Sequence, residues 1–280
     1  MALSSSNPLD IVDMSPLLVA EHAAEQIARA TNVDRHDVAI VLGSGWEGTT
    51  EDIGEVVADL LADDIEGFSA PAVAGHSGRI QSIRLPDGKH VLAIGARTHL
   101  YEGHGVRRVV HSVRTAAATG AKTLILTNGS GGVDASLPPG TPVLISDHIN
   151  LTAESPLEGP TFVDLTDLYS QRLRDLARRA IPSIQEGIYV QFRGPHFETP
   201  AEVQMIKSFG ARTVGMSTAL EAIAAREAGI EVLGISLVTV PAAGIGADPL
   251  GHADVLDVGD SAKPALKQLL SKLFSEITEA

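Results

Sequence analysis

Two short stretches concentrate the side chains that could do chemistry. Gly75-His76-Ser77-Gly78-Arg79 lies in a small-residue loop, and Arg97-Thr98-His99-Leu100-Tyr101-Glu102-Gly103-His104 follows the apolar run Val91 to Ala96. An arginine presents a planar fork of N–H donors that suits two phosphate oxygens. Arg97 and His99 are two apart, so on extended chain they point the same way, and Tyr101 continues that face. Thr98, Leu100 and Glu102 should point to the other side. A single histidine is more often a hydrogen-bonded or surface residue, but the density of polar groups here weakens that reading. His104, Arg107 and Arg108 begin a helix and read as surface residues.

Two glycine-rich stretches add backbone donors. Gly43-Ser44-Gly45-Trp46-Glu47-Gly48 follows the run Val38 to Leu42 and matches the dinucleotide fingerprint in letter. That fingerprint also needs a second strand about 20 residues on, ending in an acid. Ala58 to Gly67 has the acids but no clean strand before them. The same stretch also reads as a phosphate loop, with successive N–H groups ringing an anion and the Ser44 hydroxyl donating, or as a tight turn with no ligand. Thr127-Asn128-Gly129-Ser130-Gly131-Gly132 follows a third apolar run. It could bring N–H groups to an anion or a sugar, or be a flexible turn between a strand and a helix.

The elements that must position these groups read as an α/β alternation. Ser15-Pro16 opens a helix, Ser as the cap and Pro in the first turn, with Leu18, Ala24, Ile27 and Ala28 roughly on one face. Val38 to Leu42 reads as a buried strand, and residues 80 to 96 as two strands joined at Pro86-Asp87-Gly88. A helix over Gly105 to Thr119, a strand Thr123 to Thr127 and a strand Val143 to Ser146 come next. Helix Tyr169 to Ala180, strand Gly187 to Gln191, helices Pro200 to Phe209 and Ala219 to Ala228, and strand Val232 to Val240 complete the middle. The last helix, Ser261 to Ile277, carries Leu266, Leu269, Leu270, Leu273 and Ile277 on one stripe. This pattern predicts one α/β domain over residues 1–280 with a mainly parallel or mixed sheet, preceded by a loose tail over residues 1–13. In such sheets the ligand crevice lies beyond the carboxyl ends of the strands, where every motif above could meet.

The bulk numbers agree with a soluble protein of one large domain. The chain has 280 residues, 44% of them hydrophobic and 20% charged. A net charge of −14 repels nucleic acid and anionic membranes, so a phosphate must be drawn in by local cations. The absence of cysteine excludes disulfides, zinc–thiolate sites and a cysteine nucleophile. The start, MALSSSNPLDIVD, has neither a basic region nor an apolar stretch, and no apolar run could span a bilayer. The expected location is the cytoplasm.

Taken in order, the motifs resemble those of purine nucleoside phosphorylases, in particular the trimeric branch that prefers 6-oxopurines. To the stretches above they add Asp147-His148-Ile149-Asn150-Leu151, Gly194-Pro195-His196-Phe197-Glu198-Thr199 and Val214-Gly215-Met216-Ser217-Thr218. The resemblance runs from about Ser15 to the last helix. It implies an α/β domain whose mixed sheet is partly barrel-like and flanked by helices. It implies phosphorolysis of purine nucleosides, with inorganic phosphate as co-substrate and no metal or organic cofactor. By resemblance, Ser44, His76, Arg97, His99, the N–H of Gly129 and Ser217 would hold phosphate. Tyr101 and Met216 would face the ribose, and His252 would reach the 5′-hydroxyl. Tyr189, Phe197, Gly215 and Glu198 would form the base site, with Glu198 accepting from the purine N1–H. Arg97, His99 and Glu198 would carry the catalysis. A neighbouring subunit of a homotrimer would lend an aromatic residue, for which Phe162 is the candidate.

One position departs from the pattern. The family carries an Asn whose side chain bonds the purine at N7 and the 6-oxygen, and this chain has Val240 there, in Ser236-Leu237-Val238-Thr239-Val240-Pro241. Valine has no donor or acceptor. Either the base edge differs, or cleavage of inosine and guanosine is slow, or a neighbour such as Thr239 substitutes. A 5′-methylthio-nucleoside phosphorylase, a low-activity nucleoside-binding relative and, more distantly, a dinucleotide enzyme are the other readings. Asn128-Gly129-Ser130 is a milder departure, since the family has small alanines after the Asn.

Overall fold

The computed structural model describes residues 7–70, 72, 75–246 and 251–279, apart from the side chains of 252 and 253. Nine strands form one continuous sheet among these residues. They are β1 (Val38–Val41), β2 (Glu55–Leu61), β3 (Arg79–Arg84), β4 (His90–Ile94), β5 (Thr123–Gly132), β6 (Pro142–Asn150), β7 (Gln185–Gln191), β8 (Ala211–Gly215) and β9 (Glu231–Pro241). The helices are α1 (Pro16–Thr31), α2 (Val106–Val109), α3 (His111–Ala118), α4 (Gln171–Ala180), α5 (Pro200–Ser208), α6 (Ala219–Glu227) and α7 (His252–Glu279).

The sheet order is β2-β3-β4-β1-β5-β8-β7-β6-β9, and β9 pairs back with β5. That last pairing closes β5, β8, β7, β6 and β9 into a barrel, so the mixed, partly barrel-like sheet is as expected. β1 runs parallel to β4 and to β5, and β5 parallel to β9, whereas β2–β3, β3–β4, β5–β8 and β6–β9 are antiparallel.

Alternation along the strands splits the core in two. Ala39 and Val41 of β1, with Leu124 and Leu126 of β5, pack on Ile27 of α1, Val113 of α3 and Leu220 of α6. Val38, Ile40 and Ile125 face the other way, onto Leu173 and Leu176 of α4 and Leu266, Leu270 and Leu273 of α7. The leucine stripe expected on the last helix is therefore its buried face. That helix starts earlier than expected and runs through Pro264.

Helix α1 is opened by the Ser15 side chain, which accepts from the Leu18 N–H at 3.4 Å. Its buried face is Val19, Ala20, Ala23, Ala24 and Ile27, and Leu18 is 42% exposed, one position off the expected stripe. The expected helix over Gly105 to Thr119 breaks at Val110. The loose-tail expectation fails from residue 7 onward. Leu9 is buried, Asn7 donates to the Gly67 carbonyl, and Asp10 pairs with Arg108. Arg107 grips Glu158 and the carbonyls of Ile11, Val12 and Met14, so these two arginines fasten the N-terminal segment instead of facing water.

Two other differences matter for the site. The motif Asn128 to Gly132 is no turn, because β5 continues through it and pairs there with both β8 and β9. A strand does come after the Ser44 loop, namely β2, but it is the antiparallel edge strand, separated from β1 by β3 and β4. A dinucleotide fold needs that strand beside β1 and a helix between them. Residues 42–54 form turns with no helix, so the fingerprint is a coincidence of letters.

Candidate active site

Most of the expected motifs meet at one cavity of about 290 Å³, to which residues 75–79 and 147–151 contribute none of the lining. Ser44 arrives from the end of β1, Arg97, His99 and Tyr101 from the end of β4, and Gly129 from within β5. Gly215, Met216 and Ser217 come from the end of β8, Phe197 and Glu198 from the loop before α5, and Val240 from the end of β9.

At one end stands Arg97, only 3% exposed. Its Nε donates to Glu221 Oε1 at 3.0 Å and its Nη1 to the Thr127 carbonyl at 2.6 Å. Its Nη2 has no hydrogen-bond partner among the described residues, so both its N–H groups are unspent. The Gly43 backbone lies against this guanidinium, since a Cβ there would sit 2.5 Å from Nη1 and 2.5 Å from the Thr127 carbonyl. Glu221 is 1% exposed, and a buried carboxylate–guanidinium pair is held only where both groups are well bonded.

His99 is also paired. Glu102 Oε1 accepts from the His99 backbone N–H at 2.6 Å and lies 3.2 Å from its Nδ1. Residues 100–102 form a turn of 3-10 helix, which curls Glu102 back, contrary to the expected alternation. Burial pushes the Glu102 carboxyl up, but the His99 ring and backbone bonds outweigh it and hold the group below its usual value. With Nδ1 so engaged, Nε2 is the atom His99 can offer a ligand. Tyr101 stacks on His99 with ring centroids 4.8 Å apart, and burial pushes its hydroxyl up to about 12, so it remains a neutral donor. His76 does not line the cavity. Its buried ring meets His99 edge-on at 5.4 Å, which supports the ring that does.

Ser217 precedes α6 and Thr218 caps it. Thr218 has φ +83°, a costly conformation for a β-branched residue, at about 1–3 kcal/mol. Three contacts hold it there. Glu221 Oε2 accepts from its N–H at 2.9 Å, Asn128 Nδ2 donates to its hydroxyl at 2.9 Å, and the Ser217 hydroxyl lies 3.1 Å away. The Gln191 side-chain oxygen takes the next two N–H groups of the helix. The amino end of α6 thus points its dipole toward the Arg97 end of the cavity. Trp46, the sole tryptophan, is buried and donates to the Asn128 carbonyl at 3.0 Å, fixing β5 next to Gly129.

The other end is nearly apolar. Phe197, Val214, Val240 and Ala242 line it together with Glu198. Glu198 is buried, and its Oε1 has no hydrogen-bond partner among the described residues. Burial raises its pKa, and neighbouring Glu202 adds to this, while its own backbone N–H and His196 lower it. Thr239 is the extra residue of a bulge in β9, and its hydroxyl donates to the Ser130 carbonyl at 3.2 Å. That proton is spent, so Thr239 does not stand in as a donor for the missing Asn. Ser130 likewise donates to the Leu237 carbonyl.

A second expected residue, after His76, is placed elsewhere. Tyr189 is fully buried behind the wall, with its hydroxyl accepting from the Ser217 N–H at 3.3 Å. A Cβ on Gly215 would lie 2.6 Å from that hydroxyl, so Tyr189 supports the wall and does not flank a base. Phe162, expected at a neighbouring subunit's site, is 94% exposed. The side chain of His252 falls outside the described residues. Glu221, Glu102, Asn128 and Trp46 were not expected in supporting roles from sequence. The capping pattern Thr218-Ala219-Leu220-Glu221 was visible, but nothing in it shows that the carboxylate also holds an arginine 124 positions away.

A family model described as the phosphorylase superfamily matches residues 37–275. The chain is 62% identical over 273 residues to a purine nucleoside phosphorylase of Cellulomonas sp., covering 96% of this chain and 97% of that protein. It is 51% identical over 258 residues to a purine nucleoside phosphorylase of Mycobacterium tuberculosis, covering 92% and 96%. The structure of Schistosoma mansoni purine nucleoside phosphorylase in complex with adenosine matches with a TM-score of 0.83 at 29% identity, covering 91% of this chain and 95% of that one. The chain belongs to the phosphorylase superfamily.

Proposed function

From that membership we propose that the chain cleaves purine ribo- and deoxyribonucleosides with inorganic phosphate, releasing the free base and a pentose 1-phosphate. The observation that carries this reading is one cavity with a donor-rich end at Arg97, His99 and Ser217 and an apolar end around Glu198. Phosphate at the first end would meet Arg97 Nη2, His99 and the hydroxyls of Ser44 and Ser217. It would attack the anomeric carbon as the glycosidic bond breaks, and the bonding electrons would leave on the purine. Holding phosphate and sugar together in line can supply roughly 7–11 kcal/mol of the barrier. Glu198 would accept the N1–H and so fix the orientation of the base. Tyr101 and Met216 would face the sugar between the two ends, and no protein nucleophile is needed.

Val240 makes base handling the point of difference from the family pattern. With Thr239 and Ser130 committed to backbone carbonyls, Glu198 is the base-end side chain with an unused polar atom. We expect weak stabilisation of the leaving 6-oxopurine. The exposed Phe162 fits a homotrimer in which it reaches a neighbour's cavity. No described helix is long and apolar enough to cross a membrane, and we expect the protein in the cytoplasm.

The test is base release from inosine, guanosine, adenosine and methylthioadenosine, each with and without phosphate. Phosphate-dependent release from the first two is the expected result. Release from methylthioadenosine alone, or none that needs phosphate, would overturn the reading.

A further inference from the structure

We infer that Glu221 is the positioning residue of the phosphate end, setting Arg97 and Ser217 relative to one another with a single carboxylate. This rests on the phosphorolysis reading. Glu221 does not line the cavity. Its two oxygens are divided between the two halves of the site. Oε1 accepts from Arg97 Nε at 3.0 Å, and Oε2 accepts from the Thr218 N–H at 2.9 Å. The first bond, with the Thr127 carbonyl on Nη1, fixes the guanidinium plane and leaves Nη2 for the ligand. The second holds Thr218 at φ +83°, and that backbone geometry aims the adjacent Ser217 hydroxyl.

The pairing also sets the charge. Arg97 and Glu221 neutralise one another in a buried site, so the carboxylate keeps the arginine in place without a net cation waiting for its anion. Selection of phosphate then falls to the direction of donors, and direction is what Glu221 controls. Glutamine cannot replace it. An amide has one acceptor oxygen, and its NH2 would face either the Arg97 N–H or the Thr218 N–H, donor against donor. Aspartate keeps the charge but is one methylene short of spanning both.

The experiment compares Glu221→Gln and Glu221→Asp with the parent, reading KM for phosphate at saturating nucleoside and KM for nucleoside at saturating phosphate. Phosphate protection against thermal unfolding is read in parallel. Glu227→Gln, on the same helix and paired with Arg114 at 3.3 Å away from the cavity, controls for general loosening of α6. The expected result is a rise of roughly 10- to 100-fold in KM for phosphate, the loss of one charge-assisted hydrogen bond. KM for nucleoside stays within about threefold of the parent's, and Glu227→Gln moves neither constant. Equal rises in both constants, or an unmoved phosphate KM in both variants, overturn the assignment. So does loss of the fold in both, because a purely structural carboxylate would behave that way. A parent whose turnover needs no phosphate sinks the underlying activity; a phosphate-dependent parent with unmoved variants sinks this assignment alone.

Discussion

Val240→Asn puts an amide where the base end of the cavity now shows a methyl surface. Val240 is 7% exposed and sits on β9 opposite Gly131, and asparagine is close to valine in size, so the backbone need not move. The amide can reach a purine edge that no other free donor serves, because Thr239 and Ser130 both donate to carbonyls. Removing a donor of this kind from a developing anion costs about 2.7–4 kcal/mol. An added one, not framed by the original surroundings, should return about 1.5–3 kcal/mol, or 10- to 100-fold in kcat/KM. The ligand-free protein should lose about 1–2 kcal/mol of stability, since a polar group replaces an apolar one in a largely dry wall. Opposite signs are therefore expected, with a lower Tm and faster phosphorolysis of inosine and guanosine. Steady-state rates at saturating phosphate and a thermal melt of each protein measure both. A variant no faster than the parent on either nucleoside would refute the account of Val240.

Arg97→Ala should abolish phosphate-dependent turnover and, by stranding Glu221 as an unpaired buried charge, lower stability by about 3–5 kcal/mol; a phosphate assay and a denaturant titration check the two halves. Gly43→Ala should do far more harm than Gly129→Ala. A Cβ at 43 meets backbone atoms at 2.5 and 2.8 Å, whereas at 129 the nearest contact is 3.0 Å; phosphate KM for the pair tests this ranking. Glu198→Gln should slow cleavage of 6-oxopurine nucleosides but raise the neutral-pH melting temperature. The folded-state pKa of Glu198 lies above its ordinary value through burial, so the ionised form costs stability. That cost is absent below the usual glutamate pKa and grows as pH rises through the raised one. Melts at acid and neutral pH should therefore show the advantage of Gln only at the higher pH.

Much of the site was legible because its residues come directly after apolar strands, and strands that end on one side of a sheet deliver their succeeding loops to one crevice. Ser44, Arg97 and His99 meet there, joined by Gly129 from within β5 and by Glu198 and Ser217, to which only the family resemblance pointed. The part that could not be read is set by long-range pairing. Asn128 to Gly132 looks like a turn by composition, yet β8 and β9 draw it into the barrel. The alternation that aims Tyr101 correctly aims Glu102 away, because a turn of 3-10 helix replaces extended chain at Leu100. The motifs suggest a cluster of basic side chains, and among the described residues the two that line the cavity each have a carboxylate: Glu221 for Arg97 and Glu102 for His99. The resemblance implies Tyr189 beside the base, but its side chain is fully buried behind Gly215.

The bulge that leaves Thr239 over on β9 has a consequence for how such a protein can change through descent. The β9 backbone remains paired with β5 on both sides of it, Ser130 to Val238 and Gly131 to Val240. The side chain at 240 thus projects from a scaffold that does not depend on its identity. The donor-rich end has no such freedom, since Gly43, Arg97, Thr218 and Glu221 constrain one another sterically and electrically. On the proposed function, an exchange at 240 would retune base preference without disturbing the bonded cluster around Arg97.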